Sequence, residues 1–392
     1  MTRPVLLVGF VLFVAMLGSN FPAPLYEIYR VRFATTTFAM TGVFAAYPLA
    51  LIVTLIGFSR LPDRIGRRPS LALGTLAAAL GSIVFATAHS VAALVVARLL
   101  AAVAIGAIGA AGPPMLVELD PRHDRRRAAL VATFALSLAC GVAPFLSGVL
   151  AVTTSAPLVA PFVLHVVLSA LALAGLAFVP ETRPSPSAAA SDAPRLDPLA
   201  RRAFAGAALT SGISWWLASL FVSIVPAFVA TLLGARSPVL QGAFALLVFA
   251  VSPIAQTLAR DVPDRIAARA GLISIVVALI ALLGAVPANS LALFALGSIV
   301  AGIAHGLGFL GAQSTVNGIA PPAARARLSA AFYAVTYTCV GVPILVVGAL
   351  SSYAGLYAAV VMVSGVAAVA ALVLAAWLPA TQRPRAGQYN VR

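Results

Sequence analysis

The chain has 392 residues, 62% of them apolar and 9% charged, with a mean hydropathy of +1.06. An ordinary soluble domain is about 45–50% apolar and about 25% charged. Ten acids and twenty-five bases cannot coat the domains that a soluble chain of this length would form, so most of the surface must face lipid. The net charge of +15 is carried by arginine without a single lysine. The arginines stand in short clusters between apolar runs, as loop charges do when they set membrane topology, and no nucleic-acid partner is expected.

A first apolar run, from about Val5 to Tyr26, follows Arg3 directly. It has no small-residue cleavage site before a polar segment and reads as a retained span, not a signal peptide. Further runs fall near 38–58, 70–88, 91–117, 128–150 and 157–179. A polar stretch intervenes, and others follow near 203–232, 238–258, 268–286, 289–318, 328–350 and 354–378. Each is continuously apolar for about 20 residues, the length of a transmembrane helix; barrel strands alternate with period two over about half that length. The expected fold is an all-α membrane protein of twelve transmembrane helices. On alternate loops, twenty-one arginines fall on one side and Arg30, Arg32 and Arg236 on the other, with Arg98 inside a span. That asymmetry puts both termini in the cytoplasm, here of a bacterial inner membrane.

The segment Pro180–Arg202, rich in Pro, Ser and Ala, reads as a flexible cytoplasmic linker. The halves that it joins repeat each other. Leu61–Ile65 (LPDRI) matches Val262–Ile266 (VPDRI) at an offset of 201, and Cys140 and Pro144 match Cys339 and Pro343 at 199. Phe178–Thr182 (FVPET) matches Trp377–Thr381 (WLPAT), also at 199. The expected organisation is therefore a six-helix bundle over 1–179, a linker over 180–202, a second bundle over 203–379 and a cytoplasmic tail over 380–392. Parallel six-plus-six repeats recur among secondary transporters, with the substrate path between the halves. Cys140 and Cys339 both lie in apolar runs, where free cysteine behaves as a small hydrophobe. Without a Cys/His cluster, no metal site or disulfide is expected.

Ser59–Leu71, between the second and third spans, reads SRLPDRIGRRPSL. It resembles the loop signature of the major facilitator superfamily, GxLaDrxGrkxxl, with Asp63, Arg64, Gly66, Arg67, Arg68 and Leu71 in register and Ser59 in place of the first Gly. The resemblance implies the fold of two pseudo-symmetric six-helix bundles and a cytoplasmic latch that holds them in the outward-facing state. Asp63 suits the positive end of a helix dipole, and the arginines suit carboxylates. The nearest acids by topology are Glu118, Asp120 and Glu181. Arg98 in the fourth span resembles the buried arginine of the family pattern RxxqGxgaa, with Ala101 and Ala102 replacing Gln and Gly. A charge about 10 Å into the membrane is costly and marks a functional position, unless it snorkels to the interface. Pro144, Ser147 and Gly148 in the fifth span resemble a worn antiporter signature, gxxxGPxxGG, whose small residues let helices approach closely. In the first span, Asn20 stands before Pro22 and Pro24, where drug/proton antiporters carry an acid.

In this superfamily the first, fourth, seventh and tenth spans line the cavity. The resemblance therefore nominates Asn20, Arg98, Trp215, Trp216, His305 and Gln313, with Tyr333 and Tyr337 of the eleventh span as further aromatics. Adjacent tryptophans point differently, so one of Trp215 and Trp216 is expected to face the cavity. His305 titrates near neutrality when unperturbed, and it and Glu27 at the outer mouth are the candidate proton carriers; His165 is expected to pack. No Walker loop is present, which argues against direct drive by ATP, and no catalytic triad or metal spacing suggests an enzyme or a cofactor. The expected function is secondary transport by alternating access, as proton-coupled efflux of a small, largely apolar compound by a monomer in the bilayer. The alternatives are transport of a sugar, amino acid or organic anion with Arg98 as the anion's partner, uncoupled facilitation, or a non-transporting scaffold or sensor.

Overall fold

In hydrocarbon each backbone polar group must find its partner within the chain, which leaves helices as the solution for continuously apolar runs. The computed structural model describes residues 2–182, 197–232, 234, 237–320 and 325–378. Most of the expected linker and the whole of the tail lie outside these residues. The first half comprises α1 (Arg3–Asn20), a 3₁₀ turn (Ala23–Leu25), α2 (Tyr26–Arg32), α3 (Thr37–Gly57), α4 (Leu61–Ile65), α5 (Arg67–Ala86), α6 (Val91–Leu119), α7 (Arg125–Thr153) and α8 (Ala160–Leu176). The second comprises α9 (Pro198–Ser223), α10 (Val225–Leu232), α11 (Pro238–Leu258), α12 (Asp264–Gly284), α13 (Leu291–Ile319), α14 (Arg325–Ala354) and α15 (Leu356–Trp377). Eleven segments among the described residues are long and apolar enough to cross a membrane, and α8, with 17 residues, is a shorter apolar helix. At 1.5 Å per residue α8 is about 26 Å long, close to the hydrocarbon thickness. The twelve segments stand where the apolar runs place them.

Local chemistry sets the helix ends. Ser90 and Ser290 cap α6 and α13, accepting from the backbone N–H groups of Ala93 and Leu293. The caps lie 200 residues apart, and both helices run for 29 residues. The repeat thus reaches to single positions: Arg98 corresponds to Ser298. Pro22 and Pro24 lack the N–H that would continue the ladder, and the first span passes through the 3₁₀ turn between α1 and α2. The seventh span breaks at the matching place, between Ser223 and Val225.

The two halves meet along two related seams, α7 against α11 and α3 against α14. Each of these four helices carries one internal proline: Pro144, Pro253, Pro48 and Pro343. The glycines that touch the opposite half all lie between mid-membrane and the arginine-poor end. A Cβ on Gly148 would collide with the Pro238 carbonyl, and one on Gly242 with the Pro144 carbonyl. One on Gly341 would lie 2.9 Å from Leu49, and one on Gly348 would collide with Thr41. The seams are tight toward the arginine-poor end. The outward surface is apolar, with Leu258, Val366 and Val53 exposed by 81%, 72% and 71%, as a lipid-facing surface requires.

Candidate functional site

Two places gather the polar residues singled out in the sequence: a cluster at the arginine-rich end of the first half, and a small cavity between the halves.

The cluster is built around the break between α4 and α5. Gly66 has φ +97°, a region open to glycine and strained for other residues, and the chain turns there to start α5 at Arg67. The orphan N–H groups of that first turn meet Glu181, 114 residues away. Its carboxylate accepts from Arg67 N at 2.8 Å and Arg68 N at 3.3 Å. A Cβ on Gly66 would lie 3.0 Å from that carboxylate. Arg67 reaches the other way, its Nε and Nη2 both donating at 2.7 Å to the two oxygens of Glu118 at the end of α6. This bidentate pairing fixes orientation as well as charge.

Other expected members of the latch stand apart. Asp120 accepts from the backbone N–H of Arg122 at 3.1 Å, closing its own turn instead of pairing with the loop arginines. The side chains of Asp63, Arg64 and Arg68 make no ion pair among the described residues, and Asp63 is exposed. Every contact of the cluster described here is thus within the first half. The matching loop of the second half has Ala267 where Gly66 stands, and α12 starts at Asp264 without a break.

The cavity, of about 50 Å³, lies between α1, α3, α6 and α7 of one half and α9, α11 and α14 of the other. Asn20, Arg98, Trp215 and Tyr337 line it; Trp216, His305, Gln313 and Tyr333 do not. Tyr47, Phe44, Cys140 and Phe249, which sequence reasoning did not assign to the cavity, also line it. Arg98 does not snorkel. It is 2% exposed and donates to the Ser19 carbonyl at 2.6 Å and the Phe44 carbonyl at 3.3 Å. Its guanidinium carbon lies 4.6 Å from the Tyr47 ring centroid and 5.2 Å from that of Phe44, within cation–π range. Asn20 donates to the Met16 carbonyl at 2.9 Å and to Cys140 Sγ at 3.8 Å.

Trp216 is buried in the core and stands outside the lining, so of the adjacent pair Trp215 alone lines the cavity; neighbours on a helix point about 100° apart. His305 lies behind the Trp215 ring, edge to face at 4.6 Å, and stacks on Phe309. Its Nδ1 is 2.8 Å from Ser252 Oγ, which accepts from Gln256 at 3.2 Å. Nε2 has no partner among the described residues. Tyr333 donates to Gln313 at 3.3 Å and stacks on Tyr337. Glu27 is bound on both oxygens by Arg30, at 2.8 and 2.6 Å, one helical turn away. His165 bonds to both Ser82 Oγ at 2.7 Å and the Val14 carbonyl at 2.9 Å, the setting of a packing residue. In the fifth span, Pro144 and Gly148 make the α7–α11 contact, and Ser147 is buried with no hydroxyl partner among the described residues.

The chain resembles known transporters at three levels. It is 30% identical over 140 residues to the inner membrane transport protein YajR of Escherichia coli strain K12, a match covering 34% of this chain and 30% of that protein. The chain thus spans about a third of the length of this curated relative. Its fold matches the inward open conformation of the xylose transporter XylE from E. coli, with a TM-score of 0.77 at 13% identity over 96% of both chains. It also matches a D-xylose–proton symporter (0.75 at 17%, covering 97% of this chain and 99% of that one). A POT family transporter in complex with 5-aminolevulinic acid gives 0.77 at 14%, covering 97% and 96%. Residues 8–337 match the family model of the Major Facilitator Superfamily, and the chain belongs to that family of integral membrane transporters.

Proposed function

We propose that this chain carries a small organic solute with a large apolar part out of a bacterial cell by alternating access, in exchange for protons. In this reading a single copy works in the inner membrane with both termini cytoplasmic. Residues 1–179 and 203–379 are the bundles that rock about the cavity, 180–202 the linker and 380–392 the tail. The observation that carries the reading is the aromatic-walled cavity between the halves, closed off by tight seams on its arginine-poor side. Asp63 makes no ion pair among the described residues in this arrangement, as a latch for the opposite state would not. Entrance counterflow in proteoliposomes tests transport without presupposing an energy source. Vesicles preloaded with an unlabelled compound accumulate the labelled one transiently if the protein is a carrier. A broad panel that gives no counterflow overturns the reading.

Of the two candidate proton carriers, Glu27 is held by Arg30, whereas His305 adjoins the cavity through Trp215 and has an open Nε2. His305 is assigned the proton. His305→Gln keeps hydrogen-bonding capacity but cannot carry charge. It is expected to abolish the response of flux to an imposed pH gradient while sparing counterflow; gradient-driven flux at the wild-type rate removes His305 from the role.

A further inference from the structure

The cavity is charged on one wall only. Arg98 is buried, yet its acceptors are two backbone carbonyls, and its Nε has no partner among the described residues. Flanking rings favour a cation but do not neutralise it. Buried charges are normally paired, because an isolated one in a low-dielectric interior is strongly unfavourable. No Asp or Glu among the described residues lines the cavity. On the other half, Trp215 lines the cavity, and its buried Nε1–H has no acceptor among the described residues. The repeat supplies no counter-charge, because the position matching Arg98 is Ser298, which donates to the Phe294 carbonyl at 2.9 Å. The lining therefore combines one fixed positive charge, two residues with an unpartnered N–H, and an apolar wall of Val222, Phe249 and Val340.

We infer that the solute is an amphipathic organic monoanion, a carboxylate on an apolar or aromatic body. The carboxylate neutralises Arg98 of the first half and accepts from Trp215 Nε1–H with its other oxygen, while the body packs on the apolar wall of the second. This rests on the transporter reading above and names its substrate class. The same arrangement discriminates against organic cations, which would meet Arg98 in a site without a carboxylate.

Three isosteric probes test it: 2-naphthoate, the neutral 2-naphthamide and the cationic 2-naphthylmethylamine, each titrated calorimetrically into purified protein in lipid nanodiscs. Charge-assisted hydrogen bonds are worth tenfold or more in binding. Naphthoate is expected to bind at least about tenfold more tightly than naphthamide, and the amine more weakly than either. Arg98→Gln should erase that preference while leaving naphthamide within about threefold, and Arg98→Lys should keep it. Arg98 also ties α1 and α3 to α6, and Arg98→Gln removes those ties at the risk of misfolding. In that event Trp215→Phe, which keeps the ring and removes the N–H, decides: it should weaken naphthoate several-fold. Equal binding of naphthoate and naphthamide to the wild type, or a preference that survives Arg98→Gln, overturns the inference. A protein that carries the amide or amine in counterflow without preferring the anion loses this inference and keeps the transporter reading. One that prefers the anion but carries no probe and no panel compound keeps the inference for the binding site and loses that reading.

Discussion

At the scale of single residues, the arginine-rich end shows one glycine and one distant carboxylate holding a helix start. Gly66→Ala places a Cβ both in a strained backbone region and 3.0 Å from the Glu181 carboxylate. Backbone strain of that kind costs about 1–3 kcal/mol, so the purified variant should lose its folded, monodisperse form a few degrees below the wild type. An unchanged heating profile would mean that the turn relaxes freely. Asp63 behaves in the opposite way. With no ion pair among the described residues in this arrangement, Asp63→Asn should leave the heating profile alone, and under the proposed latch, which engages at the other end of the cycle, it should slow flux. Flux at the wild-type rate from a normally inserted variant rules out the latch. The sequence pattern showed the loop and its acids, but not which acids would engage. Glu118 and Asp120 are two residues apart, and the end of α6 turns only Glu118 toward Arg67. Glu181 is brought in by α8, whose packing no local pattern reports.

At the scale of elements, the helices were legible because apolar continuity is itself the signal, and their faces were not. A helix that meets lipid on one side and protein on the other is apolar all round, so periodicity cannot separate Trp215 from Trp216 or say which side of α13 carries His305. The same chemistry hides the seams, since a small residue reads alike in contact with lipid or with a neighbouring backbone. The structure shows that Gly148 is one of the seam residues. Gly148→Val drives side-chain volume into the Pro238 carbonyl, and overpacking of a tight contact costs about 1–3 kcal/mol, a roughly five- to hundredfold shift in a two-state equilibrium. The penalty falls on the arrangement closed at the arginine-poor end and should populate the one open there. Cys140, which lines the cavity, reports the change in a Cys339→Ser background. An impermeant thiol reagent applied from the arginine-poor side should label the valine variant faster than the parent; equal rates would show that this contact does not govern closure.

At the scale of the whole molecule, the paired seams set what must move. α3 with α14 and α7 with α11 join the halves, each of the four helices has an internal proline, and the close glycine contacts lie on the arginine-poor side of the cavity. Proline removes one rung of the helix ladder and permits a bend there. Opening the cavity to the arginine-poor side therefore requires both seams to part. Gly141 and Phe249 face each other across one of them, and a Cβ on Gly141 would lie 3.2 Å from that of Phe249, a little short of the ~3.5–4.5 Å spanned by a disulfide. With Cys140 and Cys339 replaced by Ser, the pair Gly141→Cys and Phe249→Cys should crosslink on mild oxidation. Because Phe249 lines the cavity, the comparison is between oxidised and reduced forms of the same protein. Oxidation should stop counterflow nearly completely, and a reductant should restore it to the level of the unoxidised variant. A crosslinked protein that still exchanges solute at that level would show that the halves need not separate along α7 and α11, and that transport follows another route through the bundle.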